Sequence, residues 1–214
     1  GWARVAALEG LIANCLLPTD ERLYVGTAES HVYMPHGDRL EPVGSFDETP
    51  GRGEWFTPWG GPPDVRSMSA DATGAIYVNV HVGGVVRSAD RGGSWQPTLD
   101  IRSDVHEVIA DERSGLVLAA SARGLGVSAD RGDTWSFHTD GLHGNYMWAV
   151  AVAGSTMLAT ASTGPYTDRA AVYRRPVGSD VAFEKCKVGL PEWFPSNVDS
   201  MCLAGSGSTA AFGT

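Results

Sequence analysis

The side chains that could do chemistry in this 214-residue chain are dispersed rather than gathered in one motif. They are His81, Arg102, Arg123, Tyr146, Trp148, Tyr166, Asp168 and Arg169. Arginine forks take carboxylates through two parallel hydrogen bonds. Tyrosine and tryptophan faces stack on sugar rings or on peptide aromatics. Such a mixture suits a pocket for a polar ligand. Glycoside hydrolysis asks for two facing carboxylates at a defined separation. Asp64, Asp104 and Asp168 supply carboxylates, yet their spacing pairs none of them. Arg102, Arg123 and Arg169 could converge on an anion beside Tyr166 and Asp168, and nothing in their spacing requires it. Other chemistries lack their signatures: there is no His-x-His metal cluster and no nucleophile elbow. Gly83-Gly84 and Gly124-Leu125-Gly126 precede strand patterns rather than helices, so they are turn glycines and not phosphate cradles. Cys15, Cys186 and Cys202 are sparse, odd in number and without CxxC spacing, and read as buried small hydrophobes. Neither a cofactor nor a metal is expected.

Those residues need elements to hold them, and composition narrows which. A 43% hydrophobic share is enough for a core. The net charge of -9 argues against nucleic acid, whose phosphates call for a basic surface. No apolar run approaches the ~20 residues of a membrane helix, so no membrane insertion is expected. The lack of a signal-peptide pattern favours a cytoplasmic over a secreted setting, and the start at Gly1 rather than Met leaves export open.

The organising stretch is Ser88-Ala89-Asp90-Arg91-Gly92-Gly93-Ser94-Trp95, which returns as Ser128-Ala129-Asp130-Arg131-Gly132-Asp133-Thr134-Trp135. At the same offset the segment starting at Asp64 aligns with that starting at Asp104, and Gly84 with Gly124. Each unit reads as four short strands, and weaker copies flank the pair. Four-stranded units of about 40 residues are the mark of a β-propeller blade. The expected fold is all-β: one propeller domain over 1–214, expected to be incomplete, with blades at about 10–56, 64–98, 104–138, 146–187 and 196–214. Two outcomes stay open. A leading strand at Ala3 to Leu8 could complete the fifth blade and close a small ring. Alternatively, the chain is part of a six- or seven-bladed ring, which the stop after a second strand favours. An open ring would show raw edges and should dimerise or need its missing blades. In such a fold the chemistry-bearing residues above fall in loops between second and third strands or between blades, on one rim of the channel.

Ser88, Asp90, Gly92 and Trp95, with Ser128, Asp130, Gly132 and Trp135, fit S-x-D-x-G-x-S/T-W. The pattern resembles the Asp-box, or BNR repeat, of sialidase-like and BNR-like propellers. That wider family includes xyloglucan hydrolases, sortilin-type receptors and photosystem-assembly factors. The first and fourth blades depart from the motif, with Met34 to Asp38 and Arg175 to Asp180 at the corresponding places and Phe183 standing in for the tryptophan of the fourth. The resemblance implies that the boxes are structural and face away from the binding rim. It therefore implies no chemistry at Asp90 or Asp130, and makes Arg131-Gly132-Asp133 a turn rather than an integrin-type signal. The Arg-Ile-Pro motif usual before the first box in sialidases is missing. The expected function is non-catalytic binding of a glycan or protein at the rim. A sialidase-like glycoside hydrolase and a structural scaffold module are the alternatives.

Overall fold

Short β-branched and small-residue runs separated by Gly, Asp and Ser turns can bury both faces only by stacking sheets. The computed structural model does this, and describes residues 1–214 apart from Trp2, Leu8 and Gly83. The first sheet holds β1 (Ala13–Pro18), β2 (Leu23–Thr27), β3 (Val32–His36) and β4 (Arg39–Pro42). The second holds β5 (Val65–Ala70), β6 (Ile76–Val80), β7 (Val85–Ser88) and β8 (Gln96–Leu99). The third holds β9 (Val105–Asp111), β10 (Leu116–Ser121), β11 (Gly124–Ser128) and β12 (Ser136–His138). The fourth holds β13 (Val150–Ala153), β14 (Thr156–Ala161), β15 (Ala171–Pro176) and β16 (Glu184–Lys185). A two-stranded sheet of β17 (Leu203–Ser206) and β18 (Thr209–Phe212) follows. Every sheet is an antiparallel meander in chain order, as propeller blades are.

The core is a series of layers between blades. Successive side chains of a strand point to opposite faces, so one central strand feeds two layers. Ile76, Val78 and Val80 of β6 pack toward the first sheet with Cys15, Val32 and Val65. Tyr77 packs the other way with Val105, Val108 and Val117. β10 repeats this: Val117 and Ala119 face the second sheet, Leu118 and Ala120 the fourth. Glu107 laces three units together. It is 3% exposed and accepts from the backbone N–H groups of Val150 and Met201. Burial pushes its carboxyl up to about 8 against the pull of those two bonds.

Among the described residues the two chain ends do not pair with each other. Leu8 lies outside the described residues, and Ala7 makes a single parallel bridge to Arg39 of the first sheet, not to the two-stranded sheet. The β17–β18 pair contacts β13, and no described residue of the N-terminal segment adds a strand to it. The cysteines also depart from expectation: Cys15 is buried, Cys186 partly so and Cys202 exposed, and all three are free thiols.

The octapeptide turns join β7 to β8 and β11 to β12, and their bonding is the same in both. The Ser88 hydroxyl donates to Asp90 Oδ1 at 2.8 Å and accepts from the Gly92 N–H at 2.7 Å. Asp90 then accepts from the Ser94 N–H at 2.8 Å and the Ser94 hydroxyl at 2.7 Å. Ser128, Asp130, Gly132 and Thr134 repeat the set. Two successive residues take positive φ in each turn, Arg91 and Gly92 in one, Arg131 and Gly132 in the other. Asp133 pairs with Arg87 at 2.8 Å, so the Arg-Gly-Asp stretch is tied into its own turn and the neighbouring blade. The tryptophans differ. Trp95 is buried edge-on against Phe46, at 5.1 Å and 86°, with its indole N–H on Ser45 Oγ. Phe46 comes from a single helical turn, Gly44–Asp47, in the Gly/Pro-rich connection after the first sheet. Trp135 is only partly buried and donates to Gly132 O of its own turn.

Candidate functional site at the channel mouth

In an antiparallel meander the first-to-second and third-to-fourth turns share one end of the blade. The second-to-third loops and the links between blades share the other. The octapeptide turns are therefore at the opposite end from the rim loops. Arg91 meets Glu21 of the β1–β2 turn there, beside a cleft of about 400 Å³ that also takes in Asp71. At the rim end lies a wider cavity of about 980 Å³. Its walls include Trp59, Arg66, His81, Asp104, Tyr146, Trp148, Tyr166, Asp168, Asn197 and Asp199.

The innermost strands supply its floor by a repeated device. In β5 the register steps from Val65↔Val80 to Ser67↔Asn79, leaving Arg66 as the extra residue of a β-bulge. In β9 it steps from Val105↔Ser121 to Glu107↔Ala120, leaving His106 as the extra residue. A bulge unpairs one residue and re-aims its side chain. Val65, Val105, Met147 and Val198 are fully buried and hold corresponding places in successive units. The residue after each is Arg66, His106, Trp148 and Asp199; Arg66, Trp148 and Asp199 line the opening, and His106 is buried behind it against Trp148.

Five of the eight rim residues expected from sequence line this cavity: His81, Tyr146, Trp148, Tyr166 and Asp168. The three arginines do not. Arg102 is exposed on the short turn Ile101–Ser103. Arg123 lies over the Phe137 ring at 4.3 Å, on the outer strand of its own blade. Arg169 lies over Trp193 at 4.6 Å, and its carbonyl is bonded by His143 Nε2. The carboxylate clamp that these three would have formed is not assembled. The arginine that does line the mouth is Arg66, whose guanidinium sits 5.4 Å from the Trp148 ring centroid.

The inner wall is aromatic and tightly coupled. His106 stacks on Trp148 at 4.4 Å and 17°, and meets Tyr146 at 4.8 Å. His81 bridges His106 at 5.7 Å and Trp59 at 5.9 Å. His81 follows β6 directly, and Val82 after it holds φ 58°, a region that a β-branched residue rarely enters. Strain of this kind concentrates at ligand sites. Burial, then the charge of Arg66, hold His81 down to about 3. Burial would push Asp104 up, but the nearby His106, His81 and Arg66 more than offset it and leave its pKa lowered. Burial, aided by Asp104, pushes the Tyr146 hydroxyl up to about 12. At the outer lip the aromatics are open: Trp59 is 69% exposed and Tyr166 is 100% exposed.

Arg66 and His106 are not loop residues but second residues of β5 and β9, and Asp199 lies in the irregular segment before β17. The alignment of Asp64-Val65-Arg66 with Asp104-Val105-His106 carried the signal, since equal offsets put Arg66 and His106 at equivalent places. What the alignment lacked was the bulge that turns them inward.

No protein-family model matches the sequence, and no curated protein matches it. Solved structures match on fold. An ancestral GH74 enzyme aligns with a TM-score of 0.67 at 16% identity, covering 90% of this chain and 28% of that one. The extracellular domain of a hybrid two-component system of B. thetaiotaomicron aligns at 0.61 and 15% identity, covering 93% and 26%. YCF48 from Cyanidioschyzon merolae aligns at 0.58 and 12% identity, covering 87% and 59%. A structure of YCF48 bound to D1 peptide also matches, at 0.53. The chain thus spans between about a quarter and three-fifths of the structures it resembles. It is an all-β protein of propeller architecture.

Proposed function

We propose that this chain is a non-catalytic binding module that takes a glycan in the mouth cavity. The observation that carries the reading is a cavity of about 980 Å³ whose inner wall and outer lip are aromatic, with Arg66, Asp168 and Asn197 as polar anchors. Ligand sites of this size are usually apolar with a few placed polar groups. Trp59 and Tyr166 offer flat faces that cost exposed apolar surface in the free protein and would recover it on stacking. A peptide is the second reading. It is favoured by the opposite charges of Arg66 and Asp168 in one opening, and by the likeness in fold to YCF48, which binds the D1 peptide. Arg102, Arg123 and Arg169 stand apart from the cavity, which removes the main support for a sialidase-like reading.

Calorimetric titration with an oligosaccharide series and a peptide panel tests this. Replacing Trp59 or Tyr166 by Ala should weaken binding by about 1–3 kcal/mol, the worth of one aromatic hot spot. Because both side chains are open to solvent, the thermal midpoint should hardly move. Unchanged affinity in both variants would place the ligand elsewhere.

A further inference from the structure

His81, Asp104 and His106 come from two blades and meet on the inner wall of the mouth. Each offers one ligand atom, and these atoms all lie within 4.8 Å of one another. Asp104 Oδ1 and His106 Nε2 are 3.3 Å apart. A tetrahedral ion with bonds of about 2.0–2.1 Å separates its ligands by about 3.3–3.4 Å, so this edge is already of the right length. The His81 atom lies within 4.8 Å of both, so a modest side-chain adjustment brings it into the coordination sphere.

The wiring of His106 fixes what faces the gap. The ring is wholly buried, and its Nδ1 is bonded to the Met147 carbonyl, which can only accept. Nδ1 therefore carries the proton. In the neutral ring the Nε2 lone pair then points at the Asp104 carboxylate, acceptor against acceptor. Neither Nε2 nor Asp104 Oδ1 has a hydrogen-bond partner. A ring N–H held by a backbone carbonyl is also how proteins orient a metal-binding imidazole. The surroundings share the deficit. Of six unpartnered buried side-chain polar atoms among the described residues, Asp104 Oδ1, His106 Nε2 and Trp148 Nε1 belong to this junction, and Ser103 Oγ is on the residue preceding Asp104. Charge is compatible: Asp104, Asp168 and Asp199 line the cavity against Arg66, which leans over Trp148.

We propose that His81, Asp104 and His106 form a binding site for a divalent transition-metal ion of the Zn²⁺ type, with an open coordination position facing the mouth cavity. Two imidazoles and one carboxylate suit such an ion, and three protein ligands leave the fourth place to water or to a ligand. The site does not depend on the glycan reading.

The test is titration of the chelator-treated chain with Zn²⁺ alone, in a Cys186→Ser, Cys202→Ser background that removes the accessible thiols. Saturable binding of one ion per chain is expected, with a rise in thermal midpoint. Co²⁺ in place of Zn²⁺ should give visible absorption without a thiolate charge-transfer band. His81→Gln and Asp104→Asn should each weaken binding by about 10–100-fold or more, while far-UV circular dichroism shows the fold retained. These two variants carry the test because loss of the buried His106 ring could unfold the blade. Absence of saturable binding, or wild-type affinity in both variants, overturns the proposal. So does an NMR titration showing His106 protonated on both nitrogens and unmoved by Zn²⁺, which would make the contact an imidazolium–carboxylate pair. Glycan binding that survives any of these outcomes leaves the proposed function standing.

Discussion

Trp95 and Trp135 end two octapeptides that differ in sequence at only two positions, Gly93/Asp133 and Ser94/Thr134, yet truncating them should cost very different amounts. A buried tryptophan removes on the order of 200–250 Å² from water, worth about 5–6 kcal/mol at ~25 cal/mol per Å² as an upper bound. Trp95 realises most of this, being 2% exposed. Its edge-on contact with Phe46 adds roughly 0.5–1.5 kcal/mol. Truncation would leave a hole closed by Phe46 and Tyr24 of the first sheet's side, with the Ser45 hydroxyl losing its indole partner. Measured Trp→Ala costs of about 3–5 kcal/mol put Trp95→Ala near 4 kcal/mol. Trp135 opens to solvent and bonds within its own turn. Water can fill the gap it leaves, so the cavity contribution largely vanishes and about 2 kcal/mol is expected. Urea unfolding of the whole chain, followed by far-UV circular dichroism, measures both. In thermal scans a difference of about 2 kcal/mol corresponds to roughly 4–8 °C for a chain of this size. Costs equal within about 0.5 kcal/mol, or a larger cost for Trp135→Ala, would refute the view that the first box is anchored to the neighbouring blade.

Asp90 is held down to about 2 by the Ser94 hydroxyl and N–H and the Ser88 hydroxyl. Its stabilisation is therefore complete above its unfolded value of about 4 and disappears as pH falls through about 2. Asp90→Asn should lower the urea midpoint at neutral pH and flatten its fall between those limits, and parallel profiles would count against the bonding described. Gly84 allows β8 to approach closely: an added Cβ would sit 1.8 Å from Leu99 O. Gly84→Ala should destabilise by about 2 kcal/mol or more, whereas Gly164→Ala, with nothing within 4 Å, should stay within about 0.5 kcal/mol in the same assay.

The octapeptide repeat determined a good deal without help. Its bonds span at most four residues, from Ser88 to Gly92 and from Asp90 to Ser94, so residue identity and spacing suffice to specify the turn. Its 40-residue recurrence set the blade period, and the period assigned His81, Tyr146, Trp148, Tyr166 and Asp168 to one rim. What the sequence could not carry is where a long side chain goes once it leaves the backbone. Arg123 and Arg169 sit in the expected loops but fold back onto Phe137 and Trp193, because a flexible cationic stem takes the nearest aromatic face. The contacts of His81 with His106, and of Trp95 with Phe46, cross from one blade to another between residues 25 and 49 positions apart in a chain of 214. Only the stacking of blades, and the bulge that turns His106 inward, brings them together.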